Sequence, residues 1–205
     1  MSGCIVGWAH SKFGKHEGRD IESLIVEVTQ AALADAGVTA ADIDTVYLGT
    51  MNGGFVRQEF PASLVFQVDP GFRFKPATRV EDACATGSAA IHQGLNAIAA
   101  GRARLALVVG VEKMSEVSGA QVGDILLGAS YRKEEDAIEG GFAGIFGKIA
   151  QSYFSATATN RMRWRGSPQK TTKTVSPTRS PRCRRIWATN SAARCRTRTR
   201  SSPGH

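Results

Sequence analysis

Short apolar runs alternate with helical patterns along the first 111 residues, and this alternation limits the architectures that the chain can adopt. Residues 4–9, Thr45–Gly49 and Ala77–Val80 have the length and composition of strands. Residues 105–111 are apolar without interruption, as is typical of a strand that is buried on both faces. Because strands that alternate with amphipathic helices pack as layers, we predict an α/β fold with a mostly parallel sheet and helices on both faces.

Two helices are predicted between the first three runs. Apolar residues recur at helical spacing over residues 21–36, where Asp20 is a suitable N-cap and Gly37 a suitable end. A shorter helix over residues 60–68 is entered through Pro61, which fits a first turn because its missing N–H needs no partner there. These helices supply the outer layers that a parallel sheet requires.

The charge of the chain changes abruptly near residue 156. All 18 acidic residues lie before it with 13 of the 26 basic residues, so that part carries a net charge of 13 − 18 = −5. Residues 157–205 hold the other 13 basic residues, no acidic residue and few aliphatic ones. A composition dominated by Arg, Ser, Thr and Pro buries too little apolar surface to fold, so we expect the packed core within residues 1–156.

Three explanations of residues 157–205 remain open: a basic arm for nucleic acid or another acidic partner, a flexible linker, or translation in the wrong frame. Back-translation with GC-rich codons bears on the third. Residues 157–162, read in the neighbouring frame, give Tyr-Gly-Asp-Gln-Ser-Asp, and residues 176–204 permit a string with acidic residues and aliphatic periodicity. We therefore favour the loss of a single base within codons 154–157 over a nucleic-acid-binding arm, and we predict a disordered tail.

Cys84 lies where a predicted strand gives way to a helix that begins with small residues. This helix is predicted to end near Ala100, with Gly101 as its C-cap. Unpaired amide N–H groups at a helix start favour the thiolate, which is the reactive form of cysteine. The alternative is a buried cysteine that packs as a small hydrophobic residue. Position alone leaves both interpretations of Cys84 open.

Five motifs in chain order carry a family resemblance. They are GWAHSKFGKHEGRD, DIDTVYLGTMNGGF, FKPATRVEDACATGSAA, GVEKMS and EGGFAGIFGKIAQSYF. Together they resemble the thiolase family, in particular its acetyl-CoA acetyltransferase branch, which is related to the sterol-carrier-protein thiolases. The resemblance covers about residues 5–154 and implies the N-terminal half of a layered thiolase-like fold.

The resemblance also implies a site and a reaction. Cys84 would take an acyl group from coenzyme A as a thioester, while Phe146 and Gly147 match positions near the acyl-CoA pocket. Acyl-CoA is then a substrate, and no cofactor is bound permanently. The intact family implies a homo-oligomer.

Three segments follow from the composition and the resemblance. Residues 1–114 form the first α/β half, and residues 157–205 are the basic tail. Seven glycines fall between residues 115 and 147, so we predict that residues 115–156 form an irregular Gly-rich loop region. In thiolases the corresponding region covers the substrate.

A cysteine acyltransferase also needs a base and donors for the thioester oxygen. His92 lies eight residues beyond Cys84, about 12 Å along a helix, and cannot reach the thiol directly. His10 and His16 lie in a polar early segment and are expected to be solvated. Thiolases take these groups from their second half, so we expect this chain to be incomplete and inactive in turnover. The alternative is a non-catalytic acyl-CoA-binding or partner-binding protein.

Other classes of site receive little support from the sequence. There is no C-x-x-C motif and no His/Cys cluster, so we predict no metal, and the glycines of residues 139–147 lack dinucleotide-binding spacing. No apolar stretch reaches the roughly twenty residues of a membrane span, and a cytoplasmic protein without membrane contact is expected. Glu112 and Lys113 follow the last predicted strand, where such a pair is usually solvated or ion-paired.

Overall fold

The computed structural model describes residues 3–51 and 54–157. The predictions of a disordered, out-of-frame tail concern residues 157–205, and apart from Thr157 these lie outside the described residues. The same holds for the proposal that this segment binds nucleic acid.

Three parallel strands form the sheet of the described residues. They are β1 (Thr45–Gly49), β2 (Ala77–Val80) and β3 (Ala106–Gly110), in the order β2-β1-β3. Gly49, at the end of β1, is in register with Val80 of β2 and with Gly110 of β3. The prediction of a parallel sheet is therefore confirmed, and all three strands end at the same edge.

Helix α1 (Ile21–Ala36) begins and ends where the sequence predicts. The Asp20 carboxylate accepts the backbone N–H of Ser23 at 2.8 Å, and Gly37 takes the left-handed conformation with φ 66°. That conformation is open to glycine at no steric cost, which is why the helix stops there. The hydrogen bonds of the cap hold the pKa of Asp20 below its ordinary value.

One face of the sheet carries the main hydrophobic core. Helix α1 and a 3₁₀ helix at Pro61–Gln67 pack on it, the latter in the place predicted for a short helix. The buried members from α1 and the strands are Ile21, Ile25, Val46, Leu48, Leu107 and Val109, joined from the connecting segments by Ala40, Ile43, Ala62, Val65 and Phe72. Burial of these side chains is the main stabilisation of the fold, at about 25 cal/mol per Å² of apolar surface.

Helix α2 (Thr86–Ala99) packs on the opposite face of the sheet. Close approach depends on glycine on both elements. A Cβ on Gly49 of β1 would lie 2.9 Å from Cγ2 of Thr86, and one on Gly94 of α2 would lie 3.1 Å from Cγ2 of Val108. Helices thus cover both faces, as predicted, and Gly101 follows the helix with φ 69°.

The strand predicted at residues 4–9 is not formed. This segment lies against the helices, because Gly3 packs on Leu95 of α2 and Gly7 packs on Ala36 at the end of α1. The backbone N–H of Trp8 donates to the Asp35 carboxylate at 3.0 Å. A strand needs a neighbouring strand for its backbone hydrogen bonds, and among the described residues this run has none.

The prediction that the strand at residues 105–111 is buried on both faces is also wrong. Only Leu107 and Val109 are buried, whereas Ala106 and Val108 are partly exposed. Within the described sheet β3 is an edge strand, and α2 alone covers its second face. The apolar run therefore forms a half-buried strand, one edge of which has no neighbouring strand in the described sheet.

Most of residues 115–156 lie in helices, where the sequence predicts an irregular region. Helices α3 (Gly119–Leu127), α4 (Arg132–Glu135) and α5 (Gly141–Thr157) follow one another, and α5 packs on α3. Ser118 and Gln121 form a capping box that starts α3. Glycine is usually a sign of irregular structure, but most of the glycines in this region lie inside the helices. None of the described helices has the length and apolarity to span a bilayer.

Candidate active site

A tight turn carries Cys84 out of the end of β2 and into α2. The Thr86 hydroxyl donates to the carbonyl of Ala83 at 2.6 Å and accepts the backbone N–H of Asp82 at 2.9 Å. The N–H of Ala85 donates to the carbonyl of Asp82 at 2.8 Å. These three bonds close the turn around Cys84 and leave its thiol free of any role in holding the backbone.

Ala83 has a backbone conformation that is unusual for its residue type. Its φ is 43°, in the left-handed region, and its N–H donates to the Glu81 carboxylate at 2.5 Å. A left-handed residue with a Cβ costs roughly 1–2 kcal/mol, which the surrounding hydrogen bonds must offset. The strain bends the chain sharply at the residue before Cys84, and such strain is concentrated at functional sites.

The thiol of Cys84 is exposed to solvent. The interpretation of this residue as a buried structural cysteine is therefore wrong. Beyond it, Ala90 and Ala97 of α2 are buried against the sheet, while Ile91 and Leu95 are exposed on the helix's outer side. The fold holds the start of α2 firmly and leaves the approach to Cys84 open.

Glu112 lies beyond β3 and reaches across to the segment that follows β1. Its carboxylate accepts the backbone N–H of Met51 at 2.7 Å, and both of its oxygens lie near the Thr50 hydroxyl, at 3.3 and 3.4 Å. Burial raises the pKa of Glu112, and the bonds from Met51 and Thr50 together with the charge of Arg79 oppose that rise. The sequence predicts a solvated or ion-paired residue; Glu112 is instead partly buried and accepts hydrogen bonds from Met51 and Thr50 across the strand ends.

Lys113 points the other way and is 6% exposed. Its ammonium donates to the carbonyls of Lys15 and His16, at 2.5 and 2.9 Å, and to the hydroxyl of Ser115 at 2.9 Å. A buried ammonium needs such acceptors, because removing it from water is otherwise costly. Lys113 thus fixes the backbone at Lys15 and His16 against the segment that follows β3. Sequence reasoning missed this role, since the acceptors are backbone carbonyls distant in sequence.

Phe146 and Gly147 lie on α5, whereas the thiol is held between β2 and α2. Both are exposed, Phe146 to 57%, and its ring meets that of Phe142 edge to face at 5.2 Å. Among the described residues no hydrogen bond or ring contact joins them to the Cys84 turn. Their assignment to an acyl-CoA pocket remains a prediction.

The remaining candidate groups do not converge on the thiol. His92 lies on α2 with its side chain exposed, and His16 contacts the carbonyl of Lys12 in the early segment. Within residues 3–51 and 54–157, no three His, Cys, Asp or Glu side chains are grouped so as to hold a metal ion.

Comparison with known proteins places this geometry in context. The family model described as the N-terminal domain of thiolase matches residues 4–163. The acetyl-CoA acetyltransferase of Methanocaldococcus jannaschii is 39% identical over 150 residues, which cover 73% of this chain and 38% of that protein. The acetyl-CoA acetyltransferase of Methanothermobacter thermautotrophicus is 39% identical over 114 residues, covering 55% of this chain and 30% of that protein.

A second group of relatives carries the name of a different enzyme. The β-ketoacyl-[acyl-carrier-protein] synthase III of Rhodospirillum rubrum is 36% identical over 104 residues, covering 49% of this chain and 31% of that protein. The chain thus spans between 30% and 38% of the length of these relatives.

Proposed function

The chain belongs to the thiolase family through its N-terminal domain, and from this premise we propose that Cys84 is the nucleophile of an acyltransferase that acts on acyl-CoA. The observation that carries the proposal is the strained, hydrogen-bonded turn that presents an exposed thiol between β2 and α2. Family membership supplies the class of reaction. The geometry of the turn supports Cys84 as the reacting residue.

The proposed step is transfer of an acyl group from sulfur to sulfur. The Cys84 sulfur, as thiolate, attacks the carbonyl carbon of the acyl-CoA thioester, and the bond between that carbon and the coenzyme A sulfur breaks. The acyl group is then a thioester of Cys84. Coenzyme A leaves as a thiolate and takes up the proton that Cys84 gave up, so that charge and atoms balance.

The complete reaction is part of the same proposal. Two relatives are named acetyl-CoA acetyltransferase, and for this chain we propose acetyl transfer between coenzyme A thioesters. The base and the oxyanion donors would come from sequence corresponding to the rest of those longer proteins. A coenzyme A thioester as substrate, a cytoplasmic setting and a homo-oligomer are proposed on the family resemblance.

Phe146 and Gly147 are proposed to contact the acyl-CoA, with the matching motif and the exposure of the Phe146 ring as support. We expect Phe146→Ala to slow acylation most at low acyl-CoA concentration. Tyr153→Ala, which removes another exposed ring from the same helix, should leave acylation unchanged.

Acylation of Cys84 can be tested directly. The protein is incubated with acetyl-CoA and digested, and the peptides that contain Cys4 and Cys84, both exposed thiols, are compared by mass spectrometry. We expect acetylation at Cys84 that is lost in Cys84→Ser and retained in Cys4→Ser. Because the base and the oxyanion donors are proposed to come from the rest of the longer proteins, the same measurement is made on a frame-corrected, full-length protein. Saturable binding of acetyl-CoA there without acetylation of Cys84 would refute the nucleophile and favour a non-catalytic acyl-CoA-binding protein.

A further inference from the structure

The ends of the three parallel strands bring three chain segments side by side. Gly49, Val80 and Gly110 are in register, so the residues that follow them leave the sheet at one edge. The N–H of Thr50 donates to the carbonyl of Val80 at 3.3 Å, and the N–H of Val111 donates to the carbonyl of Gly49 at 3.0 Å. The backbone ladder stops there.

Glu112 extends this ladder by one step with a side chain. Its carboxylate binds the N–H of Met51 and the hydroxyl of Thr50, which is 4% exposed. The Glu112 carboxylate therefore accepts the hydrogen bond that a backbone carbonyl would accept if β3 were longer. Together with the bond from the Thr50 N–H to the Val80 carbonyl, it holds the first two residues after β1.

Arg79 of β2 is the charged group that faces this carboxylate. Its attraction favours the ionised form of Glu112, and its own ion-pair partner is the exposed Glu59, at 3.8 Å. The Nε of Arg79 is buried and makes no hydrogen bond with the described residues. One small cavity is lined on its polar side by Thr50, Gln58, Arg79 and Glu112, and on its apolar side by Ile21, Val56 and Pro61. Arg79 is also part of the strand that leads to Cys84.

The end of β1 is in contact with the turn that carries the thiol. Gly49 approaches Thr86 so closely that a Cβ would meet its methyl group at 2.9 Å and its carbonyl oxygen at 3.3 Å. Thr86 is the residue whose hydroxyl closes the Cys84 turn. A shift of Thr50 and Met51 would therefore be passed through Gly49 to the Cys84 turn.

We infer that Glu112 is a positioning residue for Cys84, acting through the segment after β1 and through Thr86. The inference rests on the proposed role of Cys84 as nucleophile. In this role the length of the Glu112 side chain matters, because it brings the carboxylate to the N–H of Met51. Contact between Glu112 and the substrate is not required.

The reach of the side chain can be separated from its charge by two substitutions. Glu112→Asp keeps the charge but withdraws the carboxylate by one methylene from the N–H of Met51. Glu112→Gln keeps an acceptor oxygen at the original reach and removes the charge. Glu116→Gln is the matched control, because Glu116 is an exposed acid four residues further along the segment that follows β3. Circular dichroism confirms that each variant is folded.

Alkylation by iodoacetamide reports on Cys84 without any acyl transfer, and exposed Cys4 serves as the internal standard. We expect the ratio of the Cys84 rate to the Cys4 rate to fall at least about threefold in Glu112→Asp, since alkylation requires a thiolate that the turn holds at the start of α2. Glu112→Gln and Glu116→Gln should keep the original ratio. An unchanged ratio in Glu112→Asp, or an equal fall in Glu112→Gln, overturns the inference.

Two further measurements keep the outcome decisive. If Glu112→Asp does not fold, Thr50→Val removes the hydroxyl shared by the carboxylate while keeping the side-chain shape, and an unchanged ratio there also overturns the inference. Wild-type protein is incubated with acetyl-CoA in parallel. Failure of that acylation in the frame-corrected, full-length protein refutes the proposed function, whereas the alkylation ratios continue to test the positioning of the thiol.

Discussion

Replacement of Gly49 by alanine tests the contact between the sheet and the Cys84 turn. The new Cβ would lie 2.9 Å from Cγ2 of Thr86, 3.3 Å from its carbonyl oxygen and 3.5 Å from Cβ of Ala90. Thr86 cannot simply rotate away, because its hydroxyl is bonded on both sides within the turn. Either α2 moves outward or the turn opens.

The magnitude follows from a matched glycine in the neighbouring strand. Gly110 is in register with Gly49, yet a Cβ placed there meets nothing within 4 Å. Both alanines reduce the entropy of the unfolded chain, which stabilises a protein by about 0.4–1 kcal/mol when the site accepts the methyl group. Only Gly49→Ala adds overpacking, at about 1–3 kcal/mol. The difference between the two variants should therefore be about 1–3 kcal/mol.

Urea unfolding followed by circular dichroism measures this difference. With a slope of about 1–3 kcal/mol per molar urea, Gly49→Ala should unfold at a midpoint lower by about 1 M than Gly110→Ala. Cys84 alkylation should change only in Gly49→Ala. Equal midpoints for the two variants would refute the argument that this close approach sets the position of the Cys84 turn.

Three other predictions concern carboxylates and the coding sequence. Asp44 accepts the backbone N–H groups of Arg104 and Leu105, at 2.7 and 3.0 Å, and these bonds lower its pKa. Asp44→Ala should lower the free energy of unfolding by about 1 kcal/mol near neutral pH, and chemical denaturation should show this difference disappearing as the pH falls through the lowered pKa. For Glu112 the pH dependence of stability has the opposite sign, because its pKa is raised in the folded state and stability is lost as the pH rises above the ordinary pKa of a glutamate. Glu112→Gln should therefore be at least as stable as the wild type at pH 7 and should lose that advantage in acid. Sequencing of the gene should show a single-base loss within codons 154–157, and an intact frame in verified DNA, with the tail peptides found by mass spectrometry, would contradict the frameshift proposal.

Local signals in the sequence predict the elements that carry their own start and stop. Helix α1 lies between Asp20 and Gly37 as expected, since an N-cap and a left-handed glycine act within one turn of the helix. The strand before Cys84 and the helix after it were found in the same way. The sheet's parallel order follows from the alternation of elements.

Properties that depend on distant neighbours could not be read in this way. The run at residues 4–9 has the composition of a strand, but pairing depends on which strand lies beside it. Glu112 and Lys113 look like an exposed pair because their partners, around Met51 and Lys15, are remote in sequence. The left-handed φ of Ala83 has no signal in its residue type, since glycine or asparagine is usual there.

The order of strands in the sheet also dictates how the chain must assemble in time. The central strand, β1, pairs with both β2 and β3, and β3 is made last. The edge of β1 that pairs with β3 stays unpaired until Ala106, the partner of Thr45, has been synthesised. At a synthesis rate of about 5–20 residues per second, this delay lasts several seconds on the ribosome. Parallel pairing across such a long loop is intrinsically slow, because the loop must close before any contact rewards it. During that interval Val46 and Leu48 have only α1, β2 and the segments between them for cover, so part of the apolar core of the newly made chain stays open to solvent until β3 is synthesised.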